Sequence, residues 1–261
     1  MSTSPLLQVE GLTKRFGGLA AVRGLGFTVA AGEIVGLIGP NGAGKTTAFN
    51  TISGALPPSA GRVRFDGRDI TGHKPSAVVA AGLARTFQST TTFAAETVAA
   101  NLENALLARL QGSAPQRLMG RRSGLVAAAA AAAEVERLLA ELELLPWRDT
   151  PAGALAYGLQ KKLGIAIALA TQPRMLLLDE PAAGLNHEEC NELSRLLRRL
   201  SGERGLTLLL VEHHMAVVME VCDRIVVLVQ GEKIAEGTPA EVRADPAVVE
   251  AYLGAPDHAH A

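Results

Sequence analysis

A glycine-rich stretch followed by lysine and threonine is the segment of this chain that points most directly to chemistry. Gly39 to Thr46 fits the spacing G-x-x-x-x-G-K-[ST], in which backbone N–H groups and a helix N-terminus bind phosphate. We expect Lys45 to reach the β- and γ-phosphates of a nucleotide and the Thr46 hydroxyl to bind Mg²⁺. The expected phosphate-binding residues are Gly39, Pro40, Asn41, Gly42, Ala43, Gly44, Lys45, Thr46 and Thr47.

Two adjacent carboxylates follow an apolar run later in the chain. Residues 175–178 are apolar and lead directly into Asp179 and Glu180. Ligands of α/β sheets collect at the carboxyl ends of strands, so both carboxylates are expected there. Asp179 suits the Mg²⁺ shell, directly or through water, and Glu180 could polarise a water for in-line attack on a γ-phosphate.

Two further polar residues are candidates for the same chemistry. His213 follows the apolar run 207–211, and an imidazole at a strand end can hydrogen-bond a γ-phosphate and sense its loss. Its neighbour His214 is expected to point away, and the alternative for both is a pair of surface histidines. Gln88 could touch the metal or the attacking water, although a glutamine considered alone would be a surface residue.

The strands and helices that must position these residues follow from the apolar pattern. Residues 34–38 read as a buried strand before the phosphate loop, and residues 46–53 as a helix after it. Beyond residue 154, helices at 159–171, 187–204 and 215–222 alternate with strands at 175–178, 207–211 and 225–229. Apolar strands alternating with helices predict an α/β fold with a parallel sheet covered on both faces.

Two other regions differ from this alternation. Strands at 6–10, 25–29 and 62–65, the last followed by the turn Asp66-Gly67, predict a small antiparallel sheet. Residues 92–154 read as helical, with an Ala-rich helix at 125–144 and a mobile basic loop at 112–124 that is either solvated or in contact with a partner. We therefore expect one domain over residues 1–261. Its nucleotide-binding core spans about 6–91 and 155–253, with a helical insert at about 92–154 and a flexible tail at 254–261.

The bulk properties exclude several classes of protein. The chain has 261 residues and a net charge of -1, so no basic field favours nucleic acid as a partner. No apolar stretch of the chain approaches the ~20 residues that span a bilayer. No charged-then-apolar signal segment opens the sequence, and Cys190 and Cys222 lack metal-binding spacing. We expect a cytoplasmic protein with reduced thiols that can dock on a membrane protein.

Six segments in order resemble the motifs of the ATP-binding subunits of ATP-binding-cassette (ABC) transporters. Residues 39–47 are similar to the Walker A loop, Gln88 to the Q-loop, 155–160 to the signature motif, 175–180 to the Walker B strand with its catalytic Glu, 183–186 to the D-loop, and His213 to the switch histidine. The resemblance covers residues from about 7 to 253. It implies the ABC ATPase fold: a P-loop nucleotide-binding α/β core, a small antiparallel β subdomain and an inserted α-helical subdomain. It also implies Glu180, His213 and Lys45 as catalytic residues.

The finer resemblance is to the branched-chain amino-acid uptake branch, whose features urea and amide importers share. It rests on residues 15–22, 83–88, 180–186, 211–215 and 230–239. By this resemblance Phe16 would stack on adenine with Val22 beside it, and a core Phe is the alternative for Phe16. The signature motif would contact the nucleotide of the opposite subunit in a head-to-tail dimer, through Leu155, Ala156, Tyr157, Gly158, Leu159 and Gln160.

Three positions depart from this pattern. The family normally has Ser at Ala156, Gln at Leu159 and, in this branch, Asp at His214. Loss of the serine removes a hydrogen bond to phosphate and a helix cap, the cap alone being worth ~1 kcal/mol. Because this chain's own signature would complete the partner's site, we expect a heterodimer with one competent and one weakened site.

The resemblance implies an ATPase that uses ATP and Mg²⁺ to power solute uptake. Its partners would be a second ABC ATPase subunit and transmembrane permease subunits, with an external solute-binding protein indirectly, and it would lie peripherally on the cytoplasmic face of the plasma membrane. The solute itself is a family inference, most simply a branched-chain amino acid. The alternatives are a weakly hydrolysing regulatory subunit, an importer ATPase for urea or amides, and a soluble ABC ATPase of translation or DNA repair.

Overall fold

The computed structural model describes residues 4–86, 92–111 and 121–253. The chain divides into two compact units. The first unit comprises Met1–Arg85 and Arg174–Ala261, and the second comprises Thr86–Pro173. The second unit therefore extends further toward the C-terminus than the insert expected at 92–154, because the helix at Tyr157–Leu169 packs with the helices of that unit.

The described residues form ten strands, nine α-helices and two three-residue 3₁₀ helices. The strands are β1 (Leu7–Phe16), β2 (Leu19–Val29), β3 (Ile34–Ile38), β4 (Ala60–Phe65), β5 (Arg68–Asp69), β6 (Leu83–Arg85), β7 (Met175–Asp179), β8 (Thr207–Val211), β9 (Arg224–Val229) and β10 (Glu232–Gly237). The helices are α1 (Lys45–Ile52), α2 (Pro75–Ala80), α3 (Val98–Gln111), α4 (Arg121–Glu141), α5 (Tyr157–Leu169), α6 (His187–Arg204), α7 (Met215–Val221), α8 (Pro239–Ala244) and α9 (Pro246–Leu253).

The first unit contains two sheets. The larger sheet has the order β10-β9-β3-β8-β7-β6, parallel throughout except for the antiparallel edge strand β10. Its central strands β3, β7 and β8 are buried along their whole length, as a parallel sheet covered on both faces requires. The smaller sheet is antiparallel with the order β2-β1-β4-β5. Both predicted sheets are confirmed.

Local signals explain where several elements begin and end. Asn186 caps α6 through a reciprocal capping box with Glu189, and Gly205 ends the helix in the left-handed conformation, so the predicted range 187–204 is confirmed. The turn Asp66-Gly67, with φ of 51° and 72°, joins β4 to β5 as a two-residue hairpin.

The second unit is helical, with α3 packing on α4 and α5. Helix α4 begins at Arg121 and ends at Glu141, so it starts inside the loop predicted at 112–124 and stops short of the predicted end at 144. A bridge between Thr97 and Pro151 joins the start of α3 to the segment that precedes α5. Among the helices of the described ranges, none is long and apolar enough to cross a membrane.

Candidate functional site

The carboxyl ends of three neighbouring parallel strands lie at one level of the larger sheet. Leu37 of β3 pairs with Val211 of β8, and Val211 pairs with Asp179 of β7. The residues that follow these strand ends are the phosphate loop, the Glu212-His213 pair and Glu180. The sheet therefore brings together three segments that are separated by up to about 170 residues in sequence. They meet at the edge formed by the carboxyl ends of the strands, where ligands of such sheets bind.

The phosphate loop, residues 39–47, is packed too closely to admit side chains at two of its glycines. A Cβ at Gly39 would lie 2.0 Å from the carbonyl oxygen of Leu228. A Cβ at Gly44 would lie 2.2 Å from the carbonyl oxygen of Ala21, and Gly44 has a φ of 97°. These glycines let the loop pass close to neighbouring backbone while its outer side remains open to an anion.

A hairpin turn far along the sequence supports this loop. Gly231, between β9 and β10, donates its N–H to the carbonyl of Ala43 at 2.9 Å and accepts from the N–H of Arg23 at 2.8 Å. Gln230 and Gly231 have φ of 49° and 85°, as a tight hairpin turn requires. The turn thus connects the phosphate loop to β2 of the antiparallel sheet.

Lys45 lies at the first position of α1 with its ammonium inside the phosphate loop. Its Nζ donates to the carbonyls of Gly39 at 2.7 Å and Pro40 at 3.0 Å. Burial lowers the pKa of Lys45 from its ordinary value, and the negative charge of Glu180 opposes that shift. Helix α1 has no side-chain cap and no acidic residue in its first turn. Its N-terminal N–H groups are therefore available to an anion bound in the same loop as the ammonium.

Glu180 holds an uncommon backbone conformation just beyond β7. Its φ is 47°, in the left-handed region that residues other than glycine rarely adopt. Its N–H donates to the carbonyl of Val211 at 2.8 Å, which extends the β7–β8 ladder by one bond. Its Oε1 lies 3.7 Å from Nδ1 of His213. Such strain is typical of functional sites, where surrounding contacts hold it in place.

His213 and Glu212 follow β8 with opposite environments. His213 is 55% exposed at its side chain, whereas Glu212 is fully buried at 0%. The Glu212 carboxylate accepts hydrogen bonds from the backbone N–H groups of Ala182, His213 and His214. His214 is half-buried, and its Nδ1 is enclosed with no hydrogen-bond partner among the described residues.

Arg85 is the last residue of β6, the strand that neighbours β7 at this edge. Its guanidinium donates to Asn50 Oδ1 at 3.0 Å and to Ser53 Oγ at 2.9 Å, both at the C-terminal end of α1. Burial lowers the pKa of Arg85, and the charge of Asp179 opposes that shift. Arg85 therefore connects α1 to the Asp179 side of the edge. Gln88, expected near the metal, lies outside the described residues.

The two residues expected beside adenine lie on the paired strands β1 and β2 and differ in exposure. Phe16, at the end of β1, is 49% exposed, and the ammonium of Lys14 lies 5.2 Å from the centre of its ring. The alternative of a core phenylalanine is therefore wrong. Val22 on β2 is fully buried, so it is not brought to the surface with Phe16.

The signature residues lie at the start of α5 in the helical unit. Ala156 is the exposed N-cap residue of α5 and supplies no side-chain hydrogen bond. Tyr157 is 46% exposed, with the ammonium of Lys161 lying 5.3 Å from the centre of its ring. Leu155 is buried, and its carbonyl accepts from the Gln160 side chain at 2.9 Å. Gly158 and Leu159 are half-exposed in the first turn.

The donor set at the sheet edge fits a nucleotide triphosphate with Mg²⁺. The glycine cradle, the α1 N-terminus and Lys45 suit phosphate oxygens, while the exposed Thr46 hydroxyl and the Asp179 carboxylate are hard oxygen ligands. No cluster of three or more His, Cys, Asp or Glu side chains that could hold a metal occurs in the described ranges.

The sequence did not predict a role for two charged residues of this edge, the buried Glu212 and the half-buried Arg85. Glu212 and Arg85 both lie in segments that resemble the branched-chain uptake branch, but spacing alone assigned neither a role. A charged residue directly after a short apolar strand was the available signal. Their importance depends on hydrogen bonds to residues 30 or more positions away, which periodicity does not predict.

Comparisons with known proteins agree with this arrangement. The family model described as "ABC transporter" matches residues 22–183, and the model "Branched-chain amino acid ATP-binding cassette transporter" matches residues 232–258. The second match covers β10 and the C-terminal helices.

Two curated relatives and one solved structure match almost the full length. The high-affinity branched-chain amino acid transport ATP-binding protein BraF of Pseudomonas aeruginosa is 43% identical, covering 96% of this chain and 98% of that protein. LivG of Escherichia coli, with the same description, is 42% identical over 97% of this chain and 99% of its own length. A nucleotide-free ATP-binding cassette from an ABC transporter superposes with a TM-score of 0.82 at 31% identity, covering 97% of this chain and 100% of that structure.

Proposed function

The chain belongs to the ABC transporter family of ATP-binding cassettes, and from that premise we propose that it is the ATP-hydrolysing subunit of an importer for branched-chain amino acids. The single observation that carries the ATPase part is the common sheet edge. It joins a preformed phosphate loop to Glu180 and His213, whose side chains lie 3.7 Å apart. The solute is supported by the two near-full-length relatives, whose descriptions name branched-chain amino acid transport.

Binding of ATP would use contacts that are already formed. The phosphate loop and the α1 N-terminus surround the β- and γ-phosphates, and Lys45 transfers its hydrogen bonds from loop carbonyls to phosphate oxygens. Burial lowers the pKa of Lys45. The added negative charge of a bound phosphate would oppose this effect and favour the protonated form of the side chain. The exposed ring of Phe16 offers a stacking surface for adenine.

Hydrolysis would depend on Glu180 and His213. Glu180 orients and polarises a water for in-line attack on the γ-phosphate, and His213 hydrogen-bonds the same phosphate and responds to its loss. Thr46 and Asp179 would hold Mg²⁺, with Gln88 as a further contact. When bound, the ion supplies positive charge that neutralises phosphate oxygens.

We propose that the second ATPase subunit is a different chain. The exposed, uncapped Ala156 at the start of α5 supports this, because two copies of this chain would place the same weakened signature over both nucleotides. In a heterodimer the partner's signature completes this chain's own intact phosphate loop. The helical unit, residues 86–173, would then transmit closure of the dimer to the permease subunits at the cytoplasmic face of the membrane.

Ala156→Ser tests the weakened-site proposal in the assembled complex. The restored hydroxyl should raise ATP turnover, because a hydrogen bond to phosphate contributes roughly 1.5–3 kcal/mol. Ala154→Ser, two residues upstream and also exposed, is the matched control and should leave turnover unchanged. Equal turnover in wild type and Ala156→Ser would show that Ala156 limits neither site.

Affinity purification from gently solubilised membranes tests the importer proposal. The expected result is recovery of two permease proteins and a second ATPase, with solute uptake into vesicles that is driven by ATP and selective for branched-chain amino acids. Selectivity for urea or amides would change the solute and leave the ATPase role intact. Recovery of ribosomal or DNA-repair proteins, or of no membrane protein, would contradict the importer.

A further inference from the structure

Glu212 places a fully buried carboxylate between the segments that carry Glu180 and His213, the two residues proposed to act on the γ-phosphate. Its Oε1 accepts from the N–H of Ala182 at 2.6 Å, and its Oε2 accepts from the N–H groups of His213 at 3.0 Å and His214 at 3.1 Å. A buried carboxylate is unfavourable unless both of its oxygens are hydrogen-bonded. Here both are, and the donors come from two segments separated by about 30 residues.

The first of these segments carries Glu180. Ala182 lies two residues after Glu180, whose φ of 47° puts the chain in a left-handed turn. On the near side of the turn, the Glu180 N–H is bound to the carbonyl of Val211 at 2.8 Å. On the far side, Ala182 is bound to Glu212. Two bonds to consecutive residues of one strand end therefore hold the unfavourable turn.

The second segment carries His213. Its own N–H is bound to Glu212, which sets the backbone direction from which the imidazole projects. With both backbone segments held in this way, Glu180 Oε1 and His213 Nδ1 lie 3.7 Å apart. The two loops contact the same carboxylate, so movement of one loop relative to the other must break a charge-assisted hydrogen bond.

We propose that Glu212 is a positioning residue that holds Glu180 and His213 in register for attack on the γ-phosphate. The inference rests on the proposed function, because it assumes that Glu180 and His213 act on one phosphate. Glu212 itself touches neither nucleotide nor water in this scheme. It acts through the backbone of both loops.

Replacement by glutamine separates this role from simple filling of space. An amide has the same shape as a carboxylate but only one acceptor oxygen, and its NH₂ group cannot accept from an N–H. Glu212→Gln can therefore keep either Ala182 or the His213-His214 pair, and it must release the other. Glu212→Ala would also open a cavity, so the glutamine variant is the informative one.

The experiment combines kinetics with hydrogen exchange on the full chain. In the complex purified from membranes, Glu212→Gln should lower kcat for ATP at least tenfold and leave KM within twofold, since the phosphate loop is untouched. In the isolated full chain, hydrogen exchange read by mass spectrometry should be faster in residues 181–186 or 212–216. A general loss of stability would instead change KM, kcat and exchange throughout the first unit.

Thr207→Val is the matched control at the opposite end of β8. Thr207 is also fully buried, and its Oγ1 accepts from the backbone N–H of Gly32 at 2.9 Å. This variant removes one buried side-chain acceptor from the same strand, far from the γ-phosphate residues. It should leave kcat, KM and the exchange of both loops as in the wild type.

The outcomes separate this proposal from the proposed function. Wild-type kcat in Glu212→Gln, or unchanged exchange in both loops, overturns the positioning role. An equal fall in kcat for Thr207→Val and Glu212→Gln overturns it as well, since any buried loss would then suffice. A wild-type complex without ATP turnover contradicts the proposed function, and the exchange measurement then decides alone whether Glu212 holds the loops.

Discussion

Glu180 shows how a single residue is prepared for its role before any ligand arrives. A left-handed φ at a residue other than glycine is unfavourable by roughly 1 kcal/mol or more, so other contacts must maintain it. The bonds from Val211 and Glu212 on either side supply those contacts. The carboxylate is thereby directed toward His213 and close enough to Lys45 to influence its pKa.

Glu180→Gln should bind ATP and hardly hydrolyse it. The amide preserves size but cannot act as a base, and loss of a positioned general base lowers kcat by about 10²–10⁴-fold. ATP affinity, measured by titration in the presence of Mg²⁺, should change less than about threefold. Glu188→Gln in the first turn of α6 is the exposed control and should keep wild-type turnover. Retained turnover in Glu180→Gln would remove Glu180 from the catalytic role.

The phosphate loop is the element whose shape depends most on backbone packing. Its glycines fulfil different requirements. Gly44 lies against the carbonyl of Ala21, whereas an added Cβ at Gly42 meets nothing within 4 Å, although φ there is 77°. The motif requires glycine at position 44 and leaves position 42 open, and the neighbouring β2 backbone is what makes position 44 sterically closed.

Alanine at these two positions should therefore destabilise the fold unequally. Gly44→Ala combines a left-handed φ with a backbone overlap and should lower the free energy of unfolding by about 2–5 kcal/mol. Gly42→Ala carries only the conformational term, about 1–2 kcal/mol. Urea unfolding of both variants without nucleotide checks the difference. Equal losses would mean that the loop can move away from β2 at little cost.

Helix α5 begins without a side-chain cap at its N-terminus. Ala156 has the extended backbone of an N-cap residue, with φ of -58° and ψ of 152°. Ala156→Ser should raise the free energy of unfolding by about 0.5–2 kcal/mol, because serine can accept from the first turn. Ala154→Ser, outside the cap position, should stay within about 0.5 kcal/mol of the wild type. Thermal unfolding of both variants gives the comparison.

At the scale of the whole molecule, the C-terminal part of the described chain reaches back to the phosphate loop. Tyr252 on α9 is half-buried, and burial raises its pKa to about 12, with the backbone of Gly39 acting in the opposite direction through a hydrogen bond. The hairpin at Gly231 reaches the same loop from β9 and β10. The C-terminal region thus belongs to the structure that holds the nucleotide-binding loop.

This placement predicts how stability falls at alkaline pH. The folded pKa of Tyr252 lies above the value of 10.0 for a free tyrosine, so its contribution is complete below pH 10. It is lost as pH rises from 10 through 12, because the unfolded chain releases the proton first. Tyr252→Phe should show a shallower fall in unfolding temperature between pH 10 and 12 than the wild type. Tyr157→Phe, which alters an exposed tyrosine, should keep the wild-type slope.

Much of the fold follows from local signals along the chain. Helix α6 was predicted with correct ends because Asn186 and Gly205 mark them, and β8 because four consecutive apolar residues follow Thr207 in it. The edge strand β10 and the three-residue strand β6 were not predicted. The first is mostly polar and the second is too short for a period to emerge.

The sequence by itself determined the phosphate loop, the Asp179-Glu180 pair, the parallel sheet and the family, since each depends on residue types at fixed short spacings. Only the tertiary structure decided that Val22 is buried while Phe16 is exposed, and that Glu212 clamps two loops. It also decided that Glu180 adopts a left-handed turn and that Tyr252 lies beside Gly39. These features arise from hydrogen bonds and burial between residues far apart in the chain, and such partners become neighbours only when the sheet has formed.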